Sequence, residues 1–216
     1  DGRARREKLL TINKQAARTF HKWLYEPEGA QGLEYLRKRG LSQRTLTRFG
    51  LGFAPNRWDA LIEALAQEGY DKRELLDAGL AVQNRNGGLY DKFRNRVMFP
   101  ILDVNNRVIG FGGRVMDDST PKYLNSPDTP VYNKSRNVFA LNIAKKSKAG
   151  RVILTEGYMD TISLHQAGFD GAVASLGTSL TPEQARLISR YTNEVVLCYD
   201  SDEAGGRAAL RATTRT

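Results

Sequence analysis

The most restrictive feature of the sequence is an alternation that begins at Arg151. Three short apolar, β-branched runs at 151–155, 172–176 and 194–199 are separated by two segments of helical pattern, 158–167 and the stretch opening at Thr181-Pro182-Glu183-Gln184. The second helix marks its own start, because Thr181 and Gln184 are spaced as a capping box and Pro182 takes the first helical position, where an N–H has no partner anyway. Strands linked through helices do not pair as hairpins; they form a parallel sheet with right-handed crossovers. Every strand of such a sheet ends along one edge, and ligands bind in the crevice outside that edge. Residues that end these strands are therefore the first place to look for chemistry.

The preceding half has a different grammar. Leu9, Ile12, Ala16, Phe20 and Trp23 recur at helical spacing and read as the core face of a first helix. Gly40 closes a helix carrying Leu33 and Leu36, Ser42 caps the next, and Asp71 with Glu74 forms a capping box ahead of Leu75-Leu76. Between Arg94 and Arg114 the pattern turns to strand, with apolar runs on either side of an Asn105-Asn106 turn. A polar loop bounded by Pro121 and Pro127 follows, and its prolines present basic and aromatic side chains at low entropic cost. The expected fold is thus α/β of mixed α+β kind. A helical and β-rich subdomain over 1–134 precedes a parallel α/β sheet over 135–216.

Composition narrows the function classes. No apolar run is long enough to span a bilayer, so no membrane partner is expected. The single cysteine, Cys198, forms neither an internal disulfide nor a zinc cluster, which suits a reducing cytoplasm; inside an apolar run it is expected to be buried. His21 and His165 read as packed residues on helices rather than ligands. The start at Asp1 without an initiator methionine, and the stop inside a helical run, suggest a piece of a longer chain. Net charge is +9, and it is unevenly held: residues 151–216 contain six Lys/Arg against eight Asp/Glu, leaving 27 basic and 16 acidic residues to 1–150. The basic half suits a polyanion or simply a solvated surface.

Chemistry concentrates at the strand ends. Glu156 and Asp200 each end a strand on the same edge, and Asp202 follows two residues on. Three carboxylates on one rim form an oxygen-only ligand set of the kind a hard divalent cation takes. Asp202 as a helix cap and Glu156 as a solvated acid are the competing explanations. Gly177, Thr178 and Ser179 follow the second strand, where they approach phosphate or metal-bound water or make a plain turn.

These residues resemble a known family. Glu156-Gly157-Tyr158-Met159-Asp160 and Asp200-Ser201-Asp202-Glu203-Ala204-Gly205 look like the two signatures of a Toprim domain, the metal-dependent module of topoisomerases and bacterial primases. FRNRVMFPI at 93–101, GFGGRV at 110–115, PKYLNSP at 121–127 and ASLGTS at 174–179 resemble the catalytic core of the bacterial replicative (DnaG-type) primases. The resemblance implies template-directed synthesis of short RNA primers on single-stranded DNA from ribonucleoside triphosphates, by nucleotidyl transfer assisted by Mg²⁺ or Mn²⁺. It implies that Asp200 and Asp202 hold metal and that Glu156 holds metal or moves a proton. Arg114, Lys122, Tyr123 and Lys134 become a basic ridge for nucleic acid or triphosphate, with Arg39, Lys92 and Arg96 as further contacts and Tyr123 either stacking on a base or packing its ring. An RNA–DNA hybrid is implied as a second partner, and a replicative helicase as a third, reached through a domain outside this sequence. Zinc is expected only in an N-terminal domain also outside it, and a further Asp-x-Asp motif beyond Thr216. The implied location is the cytoplasm, at the nucleoid and replisome. Two other functions remain compatible with the residues: a different Toprim enzyme that cleaves DNA, such as a topoisomerase or nuclease, and a non-catalytic single-stranded DNA-binding fragment.

Overall fold

The computed structural model describes residues 1–177, 179–200 and 207. In chain order the elements are α1 (Gly2–Leu24), a 3₁₀ turn (Pro27–Gly29), α2 (Ala30–Lys38), α3 (Gln43–Arg48), β1 (Gly52–Ala54), α4 (Ala60–Gln67), α5 (Lys72–Asp77), β2 (Ala81–Gln83), β3 (Leu89–Asp91), β4 (Arg96–Leu102), β5 (Val108–Arg114) and β6 (Tyr123–Asn125). There follow α6 (Leu141–Ala144), β7 (Val152–Thr155), α7 (Tyr158–Gln166), β8 (Ala172–Ala174), α8 (Pro182–Ser189) and β9 (Val195–Leu197). The chain divides into two units, one of residues 1–101 and 107–132, the other of 102–106 and 133–216. It is a mixed α/β protein, and among the described residues no helix is long and apolar enough to cross a membrane.

The first unit is built on α1. Leu9, Ile12, Ala16, Phe20 and Trp23, one helical stripe, are all buried and pack with Met98 and Phe111 of the sheet, Phe20 meeting Phe111 edge to face at 5.3 Å. The sheet runs β1-β4-β5-β6, with β1 antiparallel to β4 and β6 antiparallel to β5. The expected caps are present. Gly40 adopts φ +83° after α2, Ser42 accepts from the Thr45 N–H at 3.2 Å, and Asp71 and Glu74 complete a reciprocal box on α5. The segment expected as a proline-bounded loop instead contains β6, because the edge of β5 offers its residues backbone partners, pairing Arg114 with Tyr123 and Gly112 with Asn125.

The second unit carries the alternation that opens the sequence reading. Its three strands lie in the order β8-β7-β9, parallel throughout, with Leu154 of β7 opposite Val173 on one side and Leu197 on the other. Val138, Leu141, Val152, Leu154, Val173, Leu180 and Ile188 form its core. Helix α8 has the expected capping box, Thr181 accepting from the Gln184 N–H and Gln184 accepting from the Thr181 N–H. The Gln184 side chain also reaches out, donating to the carbonyls of Lys134 and Asn137 at 3.0 and 2.8 Å. Residues 102–106, the Asn105-Asn106 turn among them, belong to this unit, tied by a bond from Asn142 Nδ2 to Asn106 Oδ1. One expectation fails here. Cys198 is exposed, because β9 is the last strand of the described sheet and Val195 and Val196 beside it are themselves 37 and 39 % exposed.

Candidate functional site

The strand-end acids sit where parallel topology puts them. The β7–α7 turn is held from below by buried hydroxyls: Thr155 and Thr161 bond each other at 2.8 Å, Thr155 donates to the Val173 carbonyl and Thr161 to that of Gly157. With its flanks so fixed, the turn leaves Glu156 exposed at the sheet edge. On the neighbouring strand the ladder continues past β9, the Cys198 N–H reaching the Leu154 carbonyl, and the chain emerges at Asp200. Glu156 Oε1 then accepts the Asp200 backbone N–H at 2.8 Å. The two acids are thereby clamped on one rim with both side chains in water.

That rim fits a hard cation. Its donors are carboxylate oxygens, and among the described residues no basic side chain pairs with either acid to compete for them. The third expected ligand, Asp202, lies outside the described residues, as does Thr178, and among the described residues no group of three metal-ligating side chains is assembled. Lys134, also of this unit, is exposed, and its backbone is fixed through its carbonyl by Gln184.

The first unit carries the other expected residues, and they divide by depth. Lys122 and Tyr123 are exposed at β6, Tyr123 by 36 %; Arg39 is exposed at the end of α2 and Lys92 is half-buried beside Phe93. Arg96 and Arg114 do not stand at the surface as the sequence reading expects; each is only 7 % exposed. Arg96 crosses beneath the sheet's edge to donate to the carbonyls of Pro121 at 2.8 Å and of Gly113 and Lys122 at 3.3 Å. Gly113 makes the path possible: a Cβ there would stand 3.0 Å from Arg96 Cδ and from the Phe93 ring. Burial, reinforced by Arg94, lowers the pKa of the Arg96 guanidinium. Arg114 donates to the Val115 carbonyl, and its guanidinium lies over two rings, 5.0 Å from the centroid of Tyr35 and 5.6 Å from that of Tyr123. Both arginines are therefore committed to carbonyls and rings of the protein itself and hold the segment of Lys122 and Tyr123 in place.

Two groups escape the sequence reading. Tyr35 receives Arg39 at 5.2 Å as well as Arg114, so cations and rings alternate in the order Arg39, Tyr35, Arg114, Tyr123, Lys122. The Tyr35 and Arg39 half was open to detection, since residues four apart share a helix face; the Arg114 half depends on tertiary packing. The second group is Trp58, 65 % exposed, with Arg94 4.3 Å over its ring and Tyr90 edge-on at 5.4 Å. It is anchored by its own carbonyl, which accepts the Asp91 N–H at 2.7 Å. Asp91 in turn is buried and caps α4, accepting the N–H groups of Leu61 and Ile62 at 2.8 and 3.1 Å. Burial pushes its carboxyl up to about 6, against the pull of those two donors. An exposed tryptophan stacked by a cation is a platform suited to an unpaired base.

Comparison with known proteins places this geometry. Residues 19–145 match the family model for the DNA primase catalytic core, N-terminal domain, and residues 153–216 match the Toprim-like model. The DNA primase of Clostridium acetobutylicum is 50 % identical over 206 residues, 95 % of this chain and 34 % of that protein. That of Escherichia coli K12 is 44 % identical over 212 residues, 97 % of this chain and 36 % of that protein. The chain thus spans about a third of the length of the curated relatives it matches. Among solved structures, a DnaG primase catalytic domain bound to ssDNA aligns with TM-score 0.90 at 43 % identity, covering 97 % of this chain and 66 % of that one. The RNA polymerase domain of Mycobacterium tuberculosis primase DnaG aligns with TM-score 0.89 at 35 % identity, covering 96 % and 71 %.

Proposed function

The chain belongs to the DNA primase catalytic core family, and on that premise we propose that it carries the template-binding platform and part of the catalytic rim of a primase, an enzyme that makes short RNA primers on single-stranded DNA from ribonucleoside triphosphates. The observation that carries the reading is the pairing of Glu156 with Asp200 across neighbouring parallel strands, at the ligand-binding edge of a Toprim-like sheet.

In this reading Glu156, Asp200 and Asp202 would hold Mg²⁺ or Mn²⁺. When bound, the ion polarises the α-phosphate and neutralises charge on the pyrophosphate leaving group. Glu156 keeps Asp200 at the rim through the backbone N–H it accepts and retains its second oxygen for a metal or a proton. Lys122 and Lys134 supply point charges to phosphate, Arg39 a planar fork and Lys92 a further charge, while Arg96 and Arg114 hold the chain segments from which Lys122 and Tyr123 project. Tyr123 and Trp58 present rings to bases of a single strand or of the RNA–DNA hybrid that synthesis would create. The solved relative bound to ssDNA supports a DNA template as partner. A helicase partner and a zinc site belong, in this proposal, to parts of the protein outside this sequence, and the site of action is the replisome in the cytoplasm.

Ribonucleotide incorporation on a short single-stranded template tests the reading. Metal-dependent RNA product is expected from the full-length protein. Cleavage of the DNA without incorporation would assign it to another Toprim enzyme, and tight template binding without either reaction would leave a binding module.

A further inference from the structure

The geometry points to Tyr35 as a positioning residue: its ring, held between the guanidiniums of Arg39 and Arg114, sets where the platform presents its charge and its Tyr123 ring to a single-stranded polyanion. The inference rests on the platform reading above and adds a residue that neither motif nor charge marks.

Tyr35 lies on α2, one turn before Arg39, and is half-buried. Arg39 approaches its ring from the helix end at 5.2 Å and Arg114 from the end of β5 at 5.0 Å. Two guanidiniums this near one ring repel each other, and the electron-rich faces of an aromatic ring offset that repulsion where an aliphatic side chain has nothing to offer. The Arg114 guanidinium lies as well over Tyr123, whose own ring receives Lys122 at 5.9 Å. Tyr35 therefore connects, through Arg114, to Tyr123 of β6 and to Lys122 just before it. Its hydroxyl is buried and finds no hydrogen-bond partner among the described residues. A buried orphan hydroxyl works against stability, so whatever Tyr35 contributes comes from the ring. That separates this role from a side chain kept for a hydrogen bond, and it makes Tyr35→Phe the informative conservative variant.

The test is binding of a fluorescently labelled single-stranded DNA oligonucleotide across a salt series, read by anisotropy on protein shown to be folded by its melting curve. Tyr35→Leu should weaken binding by about three- to tenfold, the range of one to two cation–ring interactions, with a shallower dependence on salt. Tyr35→Phe should restore both. In an Arg39→Ala/Arg114→Ala background, Tyr35→Leu should add less than about twofold, since the groups it positions are gone. Tyr35→Met is measured in parallel, giving a second ringless side chain if the leucine variant fails to fold. A full loss that persists in the double-alanine background would reduce Tyr35 to a packing residue and overturn the inference, as would wild-type binding by the leucine variant. If the double-alanine variant itself bound like wild type with unchanged salt slope, the platform reading would fall, a result distinct from either.

Discussion

Replacing Arg96 separates a residue that builds the platform from one that touches the ligand. In Arg96→Met the stem remains and the guanidinium is lost, together with donors to three carbonyls. The consequences for those carbonyls differ. The Lys122 carbonyl still accepts the Val115 N–H at 3.1 Å, so the heaviest loss falls on Pro121, whose bond to Arg96 is the shortest at 2.8 Å. Hydrogen bonds to a charged group contribute about 1.5–3 kcal/mol each. One strong and two long bonds, less the relief from no longer burying a charge, give a destabilisation of about 2 kcal/mol. Residues 121 and 122 would then be ordered only on binding, at about 1–2 kcal/mol per residue, which lowers affinity for single-stranded DNA about thirtyfold or more. Urea unfolding followed by tryptophan fluorescence reads the first quantity and anisotropy with labelled oligonucleotide the second. The salt slope should stay within error of wild type, because the buried Arg96 guanidinium is committed to three carbonyls. Unchanged stability with a slope reduced by one counterion would refute this reasoning and return Arg96 to the list of direct contacts.

Three further outcomes are expected. Lys122→Ala should leave the melting temperature unchanged while reducing the slope of log affinity against log salt by about one, measured on the same oligonucleotide. Trp58→Ala should weaken single-strand binding by about 1–3 kcal/mol with little effect on duplex binding, measured by competition between the two. The buried Asp91 carboxyl, with its folded value raised to about 6, favours the folded state when protonated: its contribution is present below the unfolded value near 4 and is lost as pH rises through about 6. Between pH 4 and 7 wild type should therefore lose about 2–3 kcal/mol relative to Asp91→Asn, and parallel pH profiles from urea midpoints would contradict the assignment.

How much of this was legible in the sequence depended on the range over which each feature is decided. The caps at Ser42, Asp71 and Thr181 are local, set by a side chain and an N–H three residues away, and all three form. The α1 stripe and the parallel order of β7, β8 and β9 follow from periodicity and connection length. The acids of the rim were readable for the same reason, since parallel strands must end together. Depth was not. Arg96 and Arg114 carry the sequence signature of surface cations, yet one passes over Gly113 to loop carbonyls and the other lies between two tyrosines. Cys198 reads as core because it follows Val195, Val196 and Leu197, but β9 is the last strand of the described sheet and that run is largely exposed there. Trp58 belongs to no motif or periodic run, and only the structure shows its ring exposed beneath Arg94.

The central claim is that the Glu156–Asp200 rim performs the chemistry while the basic unit holds the template. Primer synthesis and template affinity measured on the same preparation of full-length Glu156→Gln protein test it most directly. Glutamine keeps an oxygen to accept the Asp200 N–H, so the rim stays assembled while its charge is lost. The account requires primer yield to fall by about a hundredfold or more with single-stranded DNA affinity within about twofold of wild type, since phosphate contacts carry that affinity. Near-normal primer yield from Glu156→Gln, or a loss of yield matched by an equal loss of template binding, would contradict it.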